Sequence, residues 1–203
     1  MQVSLLHYTP LNICSHAIRT CWNSFNKGDN GGEIDKGLID RVGNKLKHKS
    51  TLEHLYYTFY IQGISRALLQ ELSRHRIASL SVKSSRYTLV ELKKENSFLP
   101  LNEENMKRIE KFIVLTQNEE INTNSVYALE NLRIALSKGI STDIAKYCMP
   151  ESYKTELTWT INARSLQNFL ELRSSPHALQ EIRNLANALK EEIPKDHKFI
   201  FNI

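Results

Sequence analysis

Apolar and polar residues alternate weakly from Val3 to Tyr8, which predicts a short strand, ended at Thr9-Pro10 because proline brings no amide donor to a ladder. Asn12 or Ser15 is placed to cap a helix through Phe25. Gly28, Gly31 and Gly32 mark Lys27 to Glu33 as a loop, and Asp35 then caps a second helix toward Lys47. His48 to Glu53 is a polar turn. The Tyr, Phe and Ile residues of Leu55 to Ile61 predict another strand; Gly63 breaks it, and Ile64, Leu68, Leu69 and Leu72 make one stripe of a helix from Ile64 to Arg74.

After Tyr87 the pattern gives a short extended piece and a turn before Pro100. A polar helical region then runs from about Asn102 to Lys138, with Ile109, Phe112, Ile113, Tyr127, Leu129, Leu132 and Ile134 as its apolar side. Ser141 or Thr142 caps a short helix stopped by Pro150. Leu157 to Ile161 is strand-like, and Ala163 to Arg173 and His177 to Lys190 are helices. With no repeat, low-complexity tract or linker, this order predicts one α+β domain over residues 1–203, a small mixed sheet packed with long helices. That length buries roughly two-thirds of its unfolded surface without disulfides or a structural metal.

The 27 Lys and Arg outnumber the 22 Asp and Glu, a formal charge of +5 that favours an anionic partner such as a nucleotide, nucleic acid or phosphorylated cofactor without choosing among them. Cys14, Cys21 and Cys148 form no CxxC pattern, and any pairing leaves an odd thiol, which points to a reducing, cytoplasmic setting. No stretch reaches the roughly 20 apolar residues of a membrane helix, and the strand-like N-terminus lacks the basic-then-apolar order of an export signal.

Chemistry concentrates in Glu71 to Tyr87, where Arg74, Arg76, Lys83 and Arg86 face a single acid, Glu71, and are interleaved with Ser79, Ser81, Ser84 and Ser85. Arginine forks and compact serine donors suit phosphate oxygens. The same composition describes a solvated basic loop or an RNA contact. Glu71 and Arg74 share a helical face, as a surface ion pair would. In the helix Ala163 to Arg173, the residues Leu166, Phe169, Leu170 and Leu172 form an apolar arc, and Arg173 points into its middle. There it either meets an anion or acid, or snorkels to solvent and complements the C-terminal dipole. Arg164 and Asn168 share the opposite side, either as ordinary surface residues or facing a second site.

His48, Lys49, Ser50, Glu53 and His54 make a third polar cluster. His48 and Ser50 sit on a turn that could meet a ligand, whereas metal binding is disfavoured because neither HExxH nor HxH spacing occurs. A GxSxG elbow, a Walker loop and GxGxxG are all absent. No cysteine has a basic neighbour except Cys148, two positions after Lys146.

Arg74-His75-Arg76, seven residues, Ser84, one residue and Arg86 together resemble the RHR-x7-S-x-R signature of the flavin-dependent thymidylate synthases. His48 to His54 is similar to that family's His-x-Ser/Thr-x-x-Glu-His element, and Asn162 to Arg173 to its NARSLxxFLxLR element. The resemblance implies a fold like that family's and conversion of dUMP to dTMP, with 5,10-methylenetetrahydrofolate as carbon donor, FAD as cofactor and NADPH as reductant. It further implies a homotetramer with active sites shared between subunits, no cysteine nucleophile, and neither a nucleic-acid nor a membrane partner.

By the same resemblance, Arg173 is the catalytic arginine that stabilises uracil deprotonated at N3. Glu71, Arg74, Ser84, Ser85, Arg86, Lys146 and Arg173 contact dUMP, and His48, Ser50, Arg74, His75, Arg76, Ile77, Asn162, Ala163, Arg164 and Asn168 hold FAD. Three positions depart from the family pattern. Lys146 replaces a frequent arginine, turning a fork into a point charge; Glu71 stands where some members have glutamine and can only accept; and Val82, within Ser81-Val82-Lys83, leaves only backbone for a polar contact. The competing function is a colourless basic module that binds nucleotide or RNA with steep salt dependence.

Overall fold

The computed structural model describes residues 1–203. Four strands, β1 (Gln2–Tyr8), β2 (Tyr56–Ser65), β3 (Ala78–Val82) and β4 (Lys154–Asn162), form one sheet in the order β1-β2-β4-β3. The α+β class expected from the pattern is present, but the sheet is antiparallel where a mixed one was expected. Its two inner strands show the period-2 burial of a half-buried sheet: Tyr57, Phe59 and Ile61 on β2, and Thr155, Leu157, Trp159 and Ile161 on β4, face inward.

The helices are α1 (Leu11–Thr20), α2 (Glu33–Ile39), α3 (Arg66–Ser73), α4 (Ser85–Thr88), α5 (Glu103–Ile109), α6 (Glu119–Ser137), α7 (Thr142–Ala145), α8 (Ala163–Arg173), α9 (Gln180–Glu192) and α10 (Lys198–Phe201). None is long and apolar enough to cross a membrane. The chain divides into two compact units, Met1–Ile61 with Glu71–Ser81 and Thr158–Ile203, and Gln62–Gln70 with Val82–Leu157. In the first, Tyr57, Phe59, Trp159 and Phe169 are fully buried large side chains, and α8 packs on the 3-10 turn Lys49–His54. In the second, Leu89, Leu92, Phe98, Ile109, Val126, Leu129 and Leu132 form a separate core.

Several boundaries differ from the sequence pattern for identifiable reasons. Gly63 adopts φ 67° and β2 continues through it to Ser65, whose Oγ accepts from Leu68 N at 3.0 Å; this cap starts α3 at Arg66 rather than Ile64. The helical region expected from Asn102 to Lys138 consists of two helices, capped by Asn102 and Asn118. Between them Ile113 pairs with Tyr153 as an antiparallel bridge. Tyr127, assigned to its apolar side, is 51% exposed.

Residues after Tyr87 coil rather than extend, because Leu89 and Leu92, three apart, both enter the core. Asp35 does not cap α2. Asp29 accepts from Ile34 N at 2.8 Å and Asp35 N at 3.0 Å, while the Asp35 carboxylate is buried against Arg19.

Candidate active site

Asn162 begins the site. Its Oδ1 accepts from Ser165 N at 2.9 Å, capping α8, and the Ala163 amide donates to Leu55 O at 2.8 Å. Both residues are buried and fix the helix start, which exposes Arg164 one residue on. Arg164 Nη1 meets Glu53 Oε1 at 2.6 Å, tying α8 to the Lys49–His54 turn. Leu166 and Phe169 are fully buried, but Leu172, expected on the same arc, is 55% exposed.

Arg173 turns inward, as its helical position predicts, and meets an acid. Its Nη1 donates to Glu71 Oε2 at 2.9 Å, Nη2 to Glu71 O at 3.3 Å, and Nε to His75 Nε2 at 3.0 Å. Burial, then the positive charges of Arg173 and Arg74, hold His75 below the ordinary histidine range against the opposing pull of Glu71. The neutral ring therefore accepts at Nε2 and carries its proton on Nδ1. Phe169 braces the imidazole edge-on at 4.9 Å, and Trp159 in turn braces Phe169 at 5.1 Å. An arginine with three hydrogen bonds to two residues on packed supports is a preorganised cation.

Around it opens a cavity of about 1330 Å³, lined by Lys49, Arg74, Arg76, Arg164 and Arg173 against two acids, Glu53 and Glu171. His75, Ile77 and Asn168 also line it, and Ile77 is 69% exposed. This volume exceeds the roughly 300–1,000 Å³ typical of pockets for drug-sized ligands. A dinucleotide needs both charge for its pyrophosphate and apolar contact for a flat ring; the arginines provide the first, Ile77 and Leu172 the second.

The second unit gathers the remaining candidates. Ser84 precedes α4, and its hydroxyl makes no capping bond, so it is free to donate elsewhere. Arg86 pairs with Asp143 through Nε at 2.8 Å and Nη2 at 3.3 Å, and Thr142 Oγ1 donates to Arg86 O at 2.9 Å. These contacts join α4 to α7, immediately before the exposed Lys146. Ser84, Ser85 and Arg86 thus lie at or beside a turn that packs on α7, the helix that leads directly into Lys146. The preceding basic window is not all loop: Ala78–Val82 is an edge strand, held at its end by Lys83 N donating to Glu156 O at 2.9 Å.

A family of proteins described as thymidylate synthase complementing protein has a sequence model that matches residues 4–197, nearly the whole chain. The chain belongs to the flavin-dependent thymidylate synthase family. The flavin-dependent thymidylate synthase of Campylobacter jejuni (strain RM1221) is 68% identical over 201 residues, covering 99% of this chain and 96% of the relative. That of Helicobacter pylori (strain ATCC 700392 / 26695) is 63% identical over 202 residues, covering 99% and 97%. A crystal structure of the flavin-dependent thymidylate synthase ThyX from Helicobacter pylori, complexed with FAD and dUMP, superposes with a TM-score of 0.95 at 63% identity, covering 99% of this chain and 98% of that one.

Of the residues that resemble this family's flavin site, Arg74, His75, Arg76, Ile77, Arg164 and Asn168 line the large cavity together. Asn162 and Ala163 stand behind it as supports for α8, and His48 and Ser50 are exposed to either side of Lys49, which does line it. Lys49, Glu53, Glu171, Ser175 and His177 also line the cavity, although the motif reading gave them no role. Glu53 is part of the His48 to His54 element, but its pairing with Arg164, 111 positions away, has no signal in the sequence.

Proposed function

We propose that the chain converts dUMP to dTMP, taking the carbon unit from 5,10-methylenetetrahydrofolate and reducing equivalents from NADPH, with FAD in the large cationic cavity. The observation that carries this reading is the Arg173 guanidinium, aimed by Glu71 and a neutral His75 at the wall of a cavity of dinucleotide size. When bound, FAD supplies the hydride that completes the methyl group. Arg74, Arg76 and Arg164 offer charge to its pyrophosphate, Ile77 an apolar contact, and Asn168 an amide. Asn162 and Ala163 hold the start of α8, with His48 and Ser50 at the rim.

Arg173 acts on dUMP. A guanidinium stabilises negative charge spread over N3 and a neighbouring carbonyl oxygen, and a uracil held in that form is richer in electrons at C5, where the new bond forms. Glu71 keeps the fork aimed, and the lowered proton affinity of His75 keeps a second positive charge away from it. Ser84, Ser85 and Arg86, contributed by another subunit of a homotetramer, hold the nucleotide phosphate, and Arg74 and Lys146 make further contacts to dUMP. Residues 1–203 then serve as one domain of the family.

The thiols support a route without an enzyme nucleophile. Cys14 is buried, its Sγ donates to Thr51 O, and burial pushes the thiol up to about 12; Cys21 and Cys148 are exposed and free. None lines the cavity. Cys148→Ala is therefore expected to retain dTMP formation, as measured by product release in flavin-loaded protein; complete loss would contradict a cysteine-free route. Ser84→Ala is expected to weaken dUMP about tenfold, the scale of one hydrogen bond to a charged group, and to leave FAD affinity unchanged. Titrations of each ligand separate the two effects.

The deciding assay is dTMP formation from dUMP, methylenetetrahydrofolate and NADPH with and without added FAD. Product that requires flavin supports the proposal. Folded protein that takes up no flavin and makes no dTMP overturns it and restores the basic nucleotide or RNA binder.

A further inference from the structure

A second cavity, of about 570 Å³, shares Lys49 and Glu171 with the large one and is also lined by Lys47, Lys190 and Phe201. Its ammonium groups enter no ion pair. The lysine ion pairs of the chain are Lys36–Glu33, Lys45–Asp40, Lys83–Glu156 and Lys107–Glu103, and none involves Lys47, Lys49 or Lys190. Lys190 Nζ donates only to Ser174 Oγ, at 2.9 Å. Against the three lysines stands one acidic side chain, Glu171, which leaves a cationic excess.

Lys47 is the least expected of them. The backbone there has φ 58°, just past the π-helical turn Asp40–Lys45, with Leu46 N donating to Arg41 O and His48 N to Val42 O to close the helix end. Glycine or asparagine suits this left-handed position, and lysine is disfavoured. A strained residue that brings a free cation to a cavity wall points from conformation toward a ligand. The space is too large for a lone phosphate and lies within the range of organic ligands.

We infer that this cavity anchors the anionic tail of an elongated cosubstrate whose reactive end occupies the adjoining large cavity, with Lys47 and Lys190 as its cations. The inference rests on the proposed reaction, in which two cosubstrates carry such tails: the glutamate carboxylates of the folate and the phosphates of NADPH. Their shared chemistry is a chain of anions reaching outward from the reacting ring.

The test compares KM for mono- and tri-γ-glutamyl methylenetetrahydrofolate, and for NADPH and NADH, in the flavin-loaded enzyme and its Lys47→Gly/Lys190→Ala variant. Calorimetric binding of the triglutamate to the dUMP complex is the parallel readout. The expected result is a preference of about tenfold for the triglutamate, on the scale of two exposed ion pairs, that falls to near unity in the variant. Because glycine suits position 47, the thermal midpoint of the Lys47→Gly single variant is expected to hold or rise.

A collapse of the NADPH-over-NADH preference instead supports the same cavity and assigns the tail to phosphate. Equal constants for both pairs in the unchanged enzyme, or preferences that survive the double variant, overturn the inference. Formation of dTMP from the monoglutamate shows whether the underlying reaction stands in either case.

Discussion

Replacing Arg173 with alanine is expected to lower turnover by a factor of about 100 to 1,000 while the protein still folds and takes up flavin. The magnitude is that of removing one preorganised donor from a developing negative charge. Folding is less affected, because the Arg173–Glu71 pair is only partly buried, with 18% and 35% of the two side chains exposed. Pairs of that exposure contribute about 1 kcal/mol or less. Arg173→Lys restores the charge without the fork and loses the Nε donor to His75, so it is expected to recover only a small part of the rate. Single-turnover dTMP formation at saturating dUMP, with flavin absorbance as the occupancy control, separates the chemical effect from binding. Near-normal turnover in Arg173→Ala would remove the residue from the reaction.

The same arrangement sets an acid limit. The folded pKa of His75 lies below its ordinary value, so the unfolded state binds the proton more readily. The contribution of this site is therefore complete above the unfolded histidine value of about 6.5 and declines as pH falls below it. Protonation also converts the Nε2 acceptor into a donor facing Arg173, which disrupts the aim of the guanidinium along with stability.

How far the sequence could be read depended on whether a feature was local. The alternation in β2 and β4 was legible because a buried apolar face repeats every second residue, whereas β3 was missed although Ala78, Leu80 and Val82 alternate with Ser79 and Ser81, because five residues inside a basic, serine-rich window have the composition of a loop. The break between α5 and α6 depended on Ile113 pairing with Tyr153, a contact between segments about forty residues apart that helical periodicity cannot register. Arg173's inward direction followed from 100° steps along one helix, yet its acid, Glu71, lies 102 positions away and was singled out for its pairing with Arg74 and, by resemblance, as a dUMP contact, not as the partner of Arg173. The basic window, grouped by composition, separates into Arg74 to Ile77 on the large cavity and Ser84 to Arg86 against α7. Charge clustering favoured an anionic partner, but did not say which residues act together.

The largest loss of stability is expected at a residue outside either cavity. Asp35, 2% exposed, accepts from Arg19 Nη2 at 2.6 Å, Ser15 Oγ at 2.8 Å and Gly31 N at 2.9 Å; Arg19 is itself 6% exposed. Asp35→Ala leaves that guanidinium buried without its counter-charge, a change that costs about 3–5 kcal/mol. Total stability for a domain is about 5–15 kcal/mol, so the midpoint of urea unfolding is expected to fall sharply. Asp35→Asn retains an acceptor and is expected to lose less.

The pH dependence has a definite sign. Burial pushes the Asp35 pKa up, but the bonds from Arg19, Gly31 and Ser15 outweigh it and hold the carboxyl below its ordinary value. The stabilisation is therefore present above the unfolded aspartate value of about 3.9 and is lost as pH falls through the lower folded value. Urea titrations from pH 5 downward are expected to show this acid slope in the unchanged chain and a shallower one in Asp35→Asn. Parallel slopes, or a loss below about 1 kcal/mol in Asp35→Ala, would show that the pair does not hold α1 to α2.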